Sequence, residues 1–148
     1  MAKKFNNQHE IDTFLEEPRL AILMYQSDTP GSRPSPVGVP VWFDWNGNTV
    51  QMFAGRTSPK VKRITANPNI SVLVTNKVGE PEAWVAFDGE AKISDFDTND
   101  WTALLDRVAP RYWDLSDETY AQEIAGWRAA PEAFVSIELQ PDKIRSGA

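Results

Sequence analysis

Asn46-Gly47 separates two runs of β-branched and aromatic residues, Val37 to Trp45 and Thr49 to Ala54. Asn-Gly in that setting is the strongest short-range hairpin signal, so the two runs are expected to pair as antiparallel strands. The remaining apolar runs fit the same plan. Leu20 to Tyr25 suits a buried strand, and the turn formers Asp28-Thr29-Pro30-Gly31-Ser32-Arg33-Pro34 follow it. Ile70 to Thr75 reads as another strand. Alternation resumes from Trp84 to Ile93, with Trp84, Ala86 and Asp88 on one face and Val85 and Phe87 on the other. Phe134 to Leu139 is expected to close the sheet as the final strand. Strands joined by short turns favour an antiparallel sheet or barrel over a parallel one. The fold class expected is mainly β (α+β), a small antiparallel barrel with peripheral helices.

Four helices are placed around it. Asn7 and Glu10 have capping-box spacing, Ile11, Phe14 and Leu15 recur on one face, and Pro18 ends the segment. Ser58-Pro59 begins a second helix, as a serine N-cap with proline at the first helical position, and Asn67-Pro68 closes it. Helical stretches are expected from Asp97 to Ala109 and from Ser116 to Ala125. No repeat, low-complexity tract or linker divides the 148 residues, which are expected to form one domain, 1–148.

Composition removes several classes of function. Acids outnumber bases 21 to 15, for a net charge of −6, which argues against nucleic acid or an anionic membrane as partner. The absence of cysteine rules out a disulfide scaffold, a thiolate metal site and a cysteine nucleophile. The single histidine, His9, leaves little for a metal centre or a Ser-His-Asp triad, and no metal is expected. Phosphate-loop, dinucleotide-fingerprint and His-Glu-x-x-His motifs are missing. No apolar run approaches a membrane span, and the basic start Met-Ala-Lys-Lys has no apolar stretch behind it, so a cytoplasmic location is expected.

Charge is unevenly distributed along the chain. Between Asp44 and Glu80 there is no acid, yet Arg56, Lys60, Lys62, Arg63 and Lys77 fall there. The cations around Ser58 also sit at a helix N-terminus, where bare N–H groups and the macrodipole already favour an anion. Arg56, Thr57, Ser58 and Lys60 therefore suit a phosphate cradle. A capped helix with a solvated basic face accounts for the same residues. Trp42, Phe43, Trp45 and Phe53 load the two arms of the hairpin; they fit core packing, and Trp42 or Trp45 could equally wall a planar ligand. His9 reads as a surface residue. Asp95, Asp97 and Asp100, like Asp114, Asp117 and Glu118, read as helix caps before cation ligands. Tyr112, Trp113 and Trp127 suit either core or subunit contact.

Taken in order, Val39-Pro40-Val41-Trp42-Phe43, the Asn-Gly turn, Phe53-Ala54-Gly55-Arg56-Thr57-Ser58-Pro59-Lys60-Val61, Asn67-Pro68-Asn69-Ile70-Ser71-Val72-Leu73-Val74 and Val85-Ala86-Phe87-Asp88-Gly89-Glu90-Ala91 resemble the pyridoxamine 5′-phosphate oxidase-like family. The resemblance spans roughly residues 19–94 and implies a flavin-binding split β-barrel. It implies that Lys60 and Ser58 bind the FMN phosphate, assisted by Arg56 or Thr57. Phe53 and Ala54 would run beside the isoalloxazine ring, and Val41, Trp42 and Phe43 would line the cofactor. It further implies a homodimer with the cofactor at the interface and an oxidoreductase acting on a small molecule. Two departures concern the substrate. Pro59 stands where an arginine precedes the lysine in the true oxidases, and Gly126-Trp127-Arg128 offers one basic residue where those enzymes carry a histidine and arginine set. Two alternatives share the fold. One is a deazaflavin-dependent reductase, with Arg33, Lys62 and Arg63 meeting the longer acidic tail; the other is a non-enzymatic module for flavin binding or sensing.

Overall fold

The computed structural model describes residues 4–147; residues 1–3, which include part of the basic start, and residue 148 lie outside it. The strands are β1 (Ala21–Ser27), β2 (Ser35–Val41), β3 (Asp44–Trp45), β4 (Val50–Gly55), β5 (Asn69–Thr75), β6 (Trp84–Asp95), β7 (Phe134–Leu139) and β8 (Lys143–Gly147). The helices are α1 (Gln8–Glu16), α2 (Pro59–Ala66), α3 (Thr98–Tyr112) and α4 (Glu118–Arg128). The strands run antiparallel in the order β2-β1-β5-β6-β7-β4-β3, with β8 also on β6. This is the half-barrel sheet with peripheral helices that the hairpin pattern predicts.

β6 organises the sheet. Its first part pairs with β5 and β8, and its last part, from Ala91 to Asp95, pairs with β7. β2 lies at a sheet edge, which is where Pro36 and Pro40 can sit without breaking a ladder. Inside the barrel, Leu23, Met52, Val72, Phe87 and Ile137 are fully buried. A second cluster forms outside the barrel wall, where Trp101, Leu104, Leu105 and Val108 of α3 pack with Trp42, Phe53, Trp127 and Phe134.

The structure corrects three local readings. The run from Val37 to Trp45 is two strands, because Trp42 and Phe43 leave the ladder. Trp42 turns into the helical cluster and Phe43 into the barrel, and the Phe43 N–H donates to the Tyr112 hydroxyl at 3.3 Å. The hairpin connection is a loop of residues 46–49 in which Gly47 alone has positive φ (91°) and Asn46 Oδ1 accepts from the Asn48 and Thr49 N–H groups. β7 does not end the sheet: β8 continues along β6, with Arg145 making a two-point contact to Asp88 at 2.6 and 2.9 Å.

The helix ends follow their caps. Asn7 accepts from the Glu10 N–H at 3.0 Å, although the Glu10 carboxylate returns to the Asn6 N–H at 2.8 Å. Asp97 caps α3 through the Asp100 N–H, and Asp117 caps α4 through the Thr119 N–H. Both helices run about one turn further than their sequence patterns, α3 through Pro110 to Tyr112 and α4 to Arg128.

Candidate functional site

β4 delivers the chain to the start of α2 through Gly55, Arg56 and Thr57, and the Gly55 carbonyl accepts from the Ser58 N–H at 3.0 Å. Ser58 occupies the N-cap position with Pro59 directly after it, as the sequence predicts, but its hydroxyl makes no capping bond. The Ser58 Oγ is shielded from solvent and has no hydrogen-bond partner. No acid lies in the first turn of α2. The positive end of the helix dipole therefore meets an unsatisfied hydroxyl with no acid in the helix's own first turn to balance it.

Three of the four polar residues assigned to a phosphate cradle are uncommitted. Among the described residues Lys60, half-buried, makes no ion pair, and the exposed Thr57 side chain makes no hydrogen bond. Arg56 is engaged. Its Nε donates to the Glu132 carbonyl at 2.8 Å, its guanidinium pairs with Asp95 at 2.8 Å, and its backbone N–H donates to the Ala133 carbonyl. Lys62 and Arg63, further along α2, and Arg33 in the β1–β2 loop form no ion pair among the described residues. The donor set (a buried orphan hydroxyl, a second hydroxyl, a free ammonium and a helix N-terminus) fits a phosphate-bearing group.

The apolar candidates divide between the two cores. Val41, Phe43 and Ala54 point into the barrel and are almost fully buried. Trp42 and Phe53 belong to the helical cluster: Trp42 stacks on Tyr112 with ring centroids 5.0 Å apart and planes within 3°, and Phe53 meets Trp101 edge-on at 5.3 Å. Their rings are spent on packing, so what these positions can offer a ligand is backbone. The edge of β4 facing away from β7 has a strand partner only at Val50 and Gln51, which leaves the stretch through Phe53 and Ala54 without a ladder on that side. Trp45 is also occupied, with its Nε1 donating to Asp12 at 2.8 Å and its ring against Phe87.

Several residues gain a role that the sequence pattern did not show. Tyr112 donates to the Arg19 carbonyl at 2.7 Å and accepts from Phe43, and burial raises its pKa. Asp95, read as a cap, instead fixes Arg56 from 39 positions away; no local pattern reports such a pair. Trp113 and Trp127 pack with Trp42 at 4.8 and 5.7 Å. Asp114 accepts from the Ser116 hydroxyl and N–H, which lowers its pKa. His9 is exposed on α1.

The family model for pyridoxamine 5′-phosphate oxidase matches residues 8–146. No curated protein matches the chain. Among solved structures, a FAD-binding protein from Mesorhizobium loti is 17% identical with a TM-score of 0.62, covering 95% of this chain and 92% of its own. An F420 reductase is 20% identical with a TM-score of 0.63, covering 90% and 94%. HutZ, the haem storage protein of Vibrio cholerae, is 20% identical with a TM-score of 0.61, covering 94% and 93%. At these identities the likeness is one of fold.

Proposed function

The chain belongs to the pyridoxamine 5′-phosphate oxidase family, and on that premise we propose that it is an oxidoreductase holding FMN at the start of α2 and acting on a small molecule. One observation carries the reading: the buried Ser58 hydroxyl has no partner, at a helix N-terminus whose first turn contains no acid. Ser58, Thr57 and Lys60 take the phosphate. Arg56, held by Asp95 and Glu132, fixes the loop that presents them. Phe53 and Ala54 offer main-chain groups from the open edge of β4 to the polar rim of the ring, and Val41, Trp42 and Phe43 support that edge from the adjoining segment. When bound, the flavin supplies the hydride or electron transfer. Pyridoxamine phosphate is not the expected substrate, given Pro59 and the single basic residue Arg128.

A second copy of the chain belongs to this proposal. Ile22 and Met24 of β1, Leu73 of β5 and Trp84 of β6 are half-buried on the outward face of the sheet, opposite the barrel core. A sheet face left to water is ordinarily polar, so this apolar face suits subunit contact.

The test is an absorption spectrum of the purified protein with FMN titrated in. Saturable quenching of FMN fluorescence supports the reading; no binding to the folded protein overturns it. The uncommitted Lys62 and Arg63 favour a second reading, a deazaflavin with a longer acidic tail on the same helix. Mass spectrometry of holoprotein from a deazaflavin-producing host separates the two. A flavin held tightly yet never reduced by a nicotinamide donor or a reductase would instead identify a non-enzymatic binding module.

A further inference from the structure

The Asn46-Gly47 turn, the last turn of α1 and the end of α3 line a pocket of about 280 Å³ that the flavin reading does not use. Asp12, Leu15, Glu16, Trp45, Asn46 and Arg111 form its walls. Arg111 is the unusual member. Its Nη2 donates to the Leu15 and Glu17 carbonyls at 3.1 and 3.3 Å, and its guanidinium carbon lies 5.7 Å from the centre of the Phe43 ring. Its Nε is buried and has no hydrogen-bond partner, and the guanidinium forms no ion pair among the described residues. A guanidinium N–H shielded from water ordinarily has an acceptor, and the charge behind it an anion.

The same pocket holds acid that the fold leaves uncommitted. Asp12 accepts from the Gln8 amide at 2.9 Å and from Trp45 Nε1 at 2.8 Å, both through Oδ1, which leaves Oδ2 open. The exposed Glu16 carboxylate forms no ion pair among the described residues. Asn46 gives its Oδ1 to the Asn48 and Thr49 N–H groups and keeps its side-chain NH2. The C-terminal ends of α1 and α3 both reach the pocket, and each adds partial negative charge. A simple anion would gain Arg111 but face two carboxylates, and a simple cation would face Arg111. The open groups match a ligand that carries both charges.

We propose that this pocket binds a free α-amino acid with an apolar side chain. The carboxylate takes Arg111 and the Asn46 NH2, the ammonium takes Glu16 and Asp12 Oδ2, and the side chain lies against Leu15 and the Trp45 ring. The volume falls just below the roughly 300–1,000 Å³ of pockets for drug-sized ligands, which suits a molecule this small. The site is independent of the flavin reading. The Asn-Gly turn precedes Val50 and the candidate phosphate residues follow Gly55, so the length of β4 separates them, about 17 Å at the usual strand rise.

The experiment is a titration of the full-length, isotope-labelled protein with L-leucine, following the Trp45 indole N–H by NMR because that group donates to Asp12. Isocaproate, which is leucine without the ammonium, and isopentylamine, which is leucine without the carboxylate, are titrated beside it. Leucine is expected to shift the signal saturably, and each analogue to bind at least about tenfold more weakly. Arg111 also holds the end of α1, so the variant is placed at exposed Glu16. Glu16→Gln should weaken leucine binding about two- to fivefold. A Trp45 signal unmoved at millimolar leucine would overturn the proposal. So would an analogue that binds as tightly as leucine, or leucine affinity that Glu16→Gln leaves unchanged. Because FMN takes no part, the result stands apart from the flavin titration.

Discussion

Arg56 and Asp95 grip one another at 2.8 Å, joining the loop that opens α2 to the last residue of β6. Both side chains are substantially exposed, 44% and 77%, so the bond serves placement more than stability. A double-mutant cycle of Arg56→Ala and Asp95→Ala in urea should give a coupling of about 0.2–1 kcal/mol. FMN affinity should fall less in Arg56→Ala than in Lys60→Ala. The opposite ranking would make Arg56 the direct phosphate ligand.

Lys60 and Ser58 should separate binding from folding. Lys60→Ala is expected to weaken FMN affinity by about 1.5–3 kcal/mol, the worth of a charge-assisted bond, with the unfolding midpoint unchanged. Replacing a working serine N-cap costs about 1 kcal/mol. The Ser58 hydroxyl makes no cap bond, so Ser58→Ala should leave the FMN-free protein as stable as before and show its effect in FMN titration alone.

Tyr112→Phe keeps the ring stacked on Trp42 but strands the Phe43 N–H and the Arg19 carbonyl. A loss of about 1–3 kcal/mol is expected from chemical denaturation. A neutral result would mean that water replaces the hydroxyl at the break between β2 and β3.

Acid should loosen β8. The Arg145 guanidinium, helped by the Ser71 hydroxyl and the charge of Lys143, outweighs burial and lowers the Asp88 carboxyl from 3.8 to about 2. The unfolded chain takes up that proton first as pH falls. The contribution of Asp88 to stability is therefore complete above pH 3.8 and lost on descending towards about 2. Asp88→Asn should flatten the acid limb of the stability profile in that window, while an unchanged limb would show that other carboxylates set it.

The outward face can be tested by charge. Leu73→Asp places a carboxylate among Ile22, Met24 and Trp84 without entering the barrel. Sedimentation should show the wild type as a dimer and the variant as a folded monomer with weaker FMN binding. A wild-type monomer would remove the second copy from the proposal.

Local signals in the sequence carried over well. Ser58-Pro59 marks the first residues of α2, the Phe134–Leu139 strand has the bounds its alternation gives, and Asn46-Gly47 turns the chain between β3 and β4. Each depends on neighbours within a few positions. What escaped the sequence depends on distance. β8, with its Lys, Arg and Ser, has no apolar alternation, and it is a strand because β6 presents an unpaired edge and Asp88 a carboxylate. Trp42 and Phe43 look like consecutive strand residues until Tyr112 supplies a hydroxyl from α3. At the start of α2 the cationic cluster was legible, but the prior engagement of Arg56 was not, since Asp95 and Glu132 are remote in the chain.

Because β6 runs unbroken for 12 residues through both parts of the sheet, neither part can separate without stripping partners from that one strand. Opening β5 or β7 exposes the same strand, so the barrel is expected to melt as one cooperative unit, with amide hydrogens in the middle of β6 exchanging only on global unfolding. The cost falls on folding speed. β7 and β8 find their places on β6 only after the long excursion through α3 and α4, so ring closure over that span sets a slow step that stabilising either helix alone would not remove.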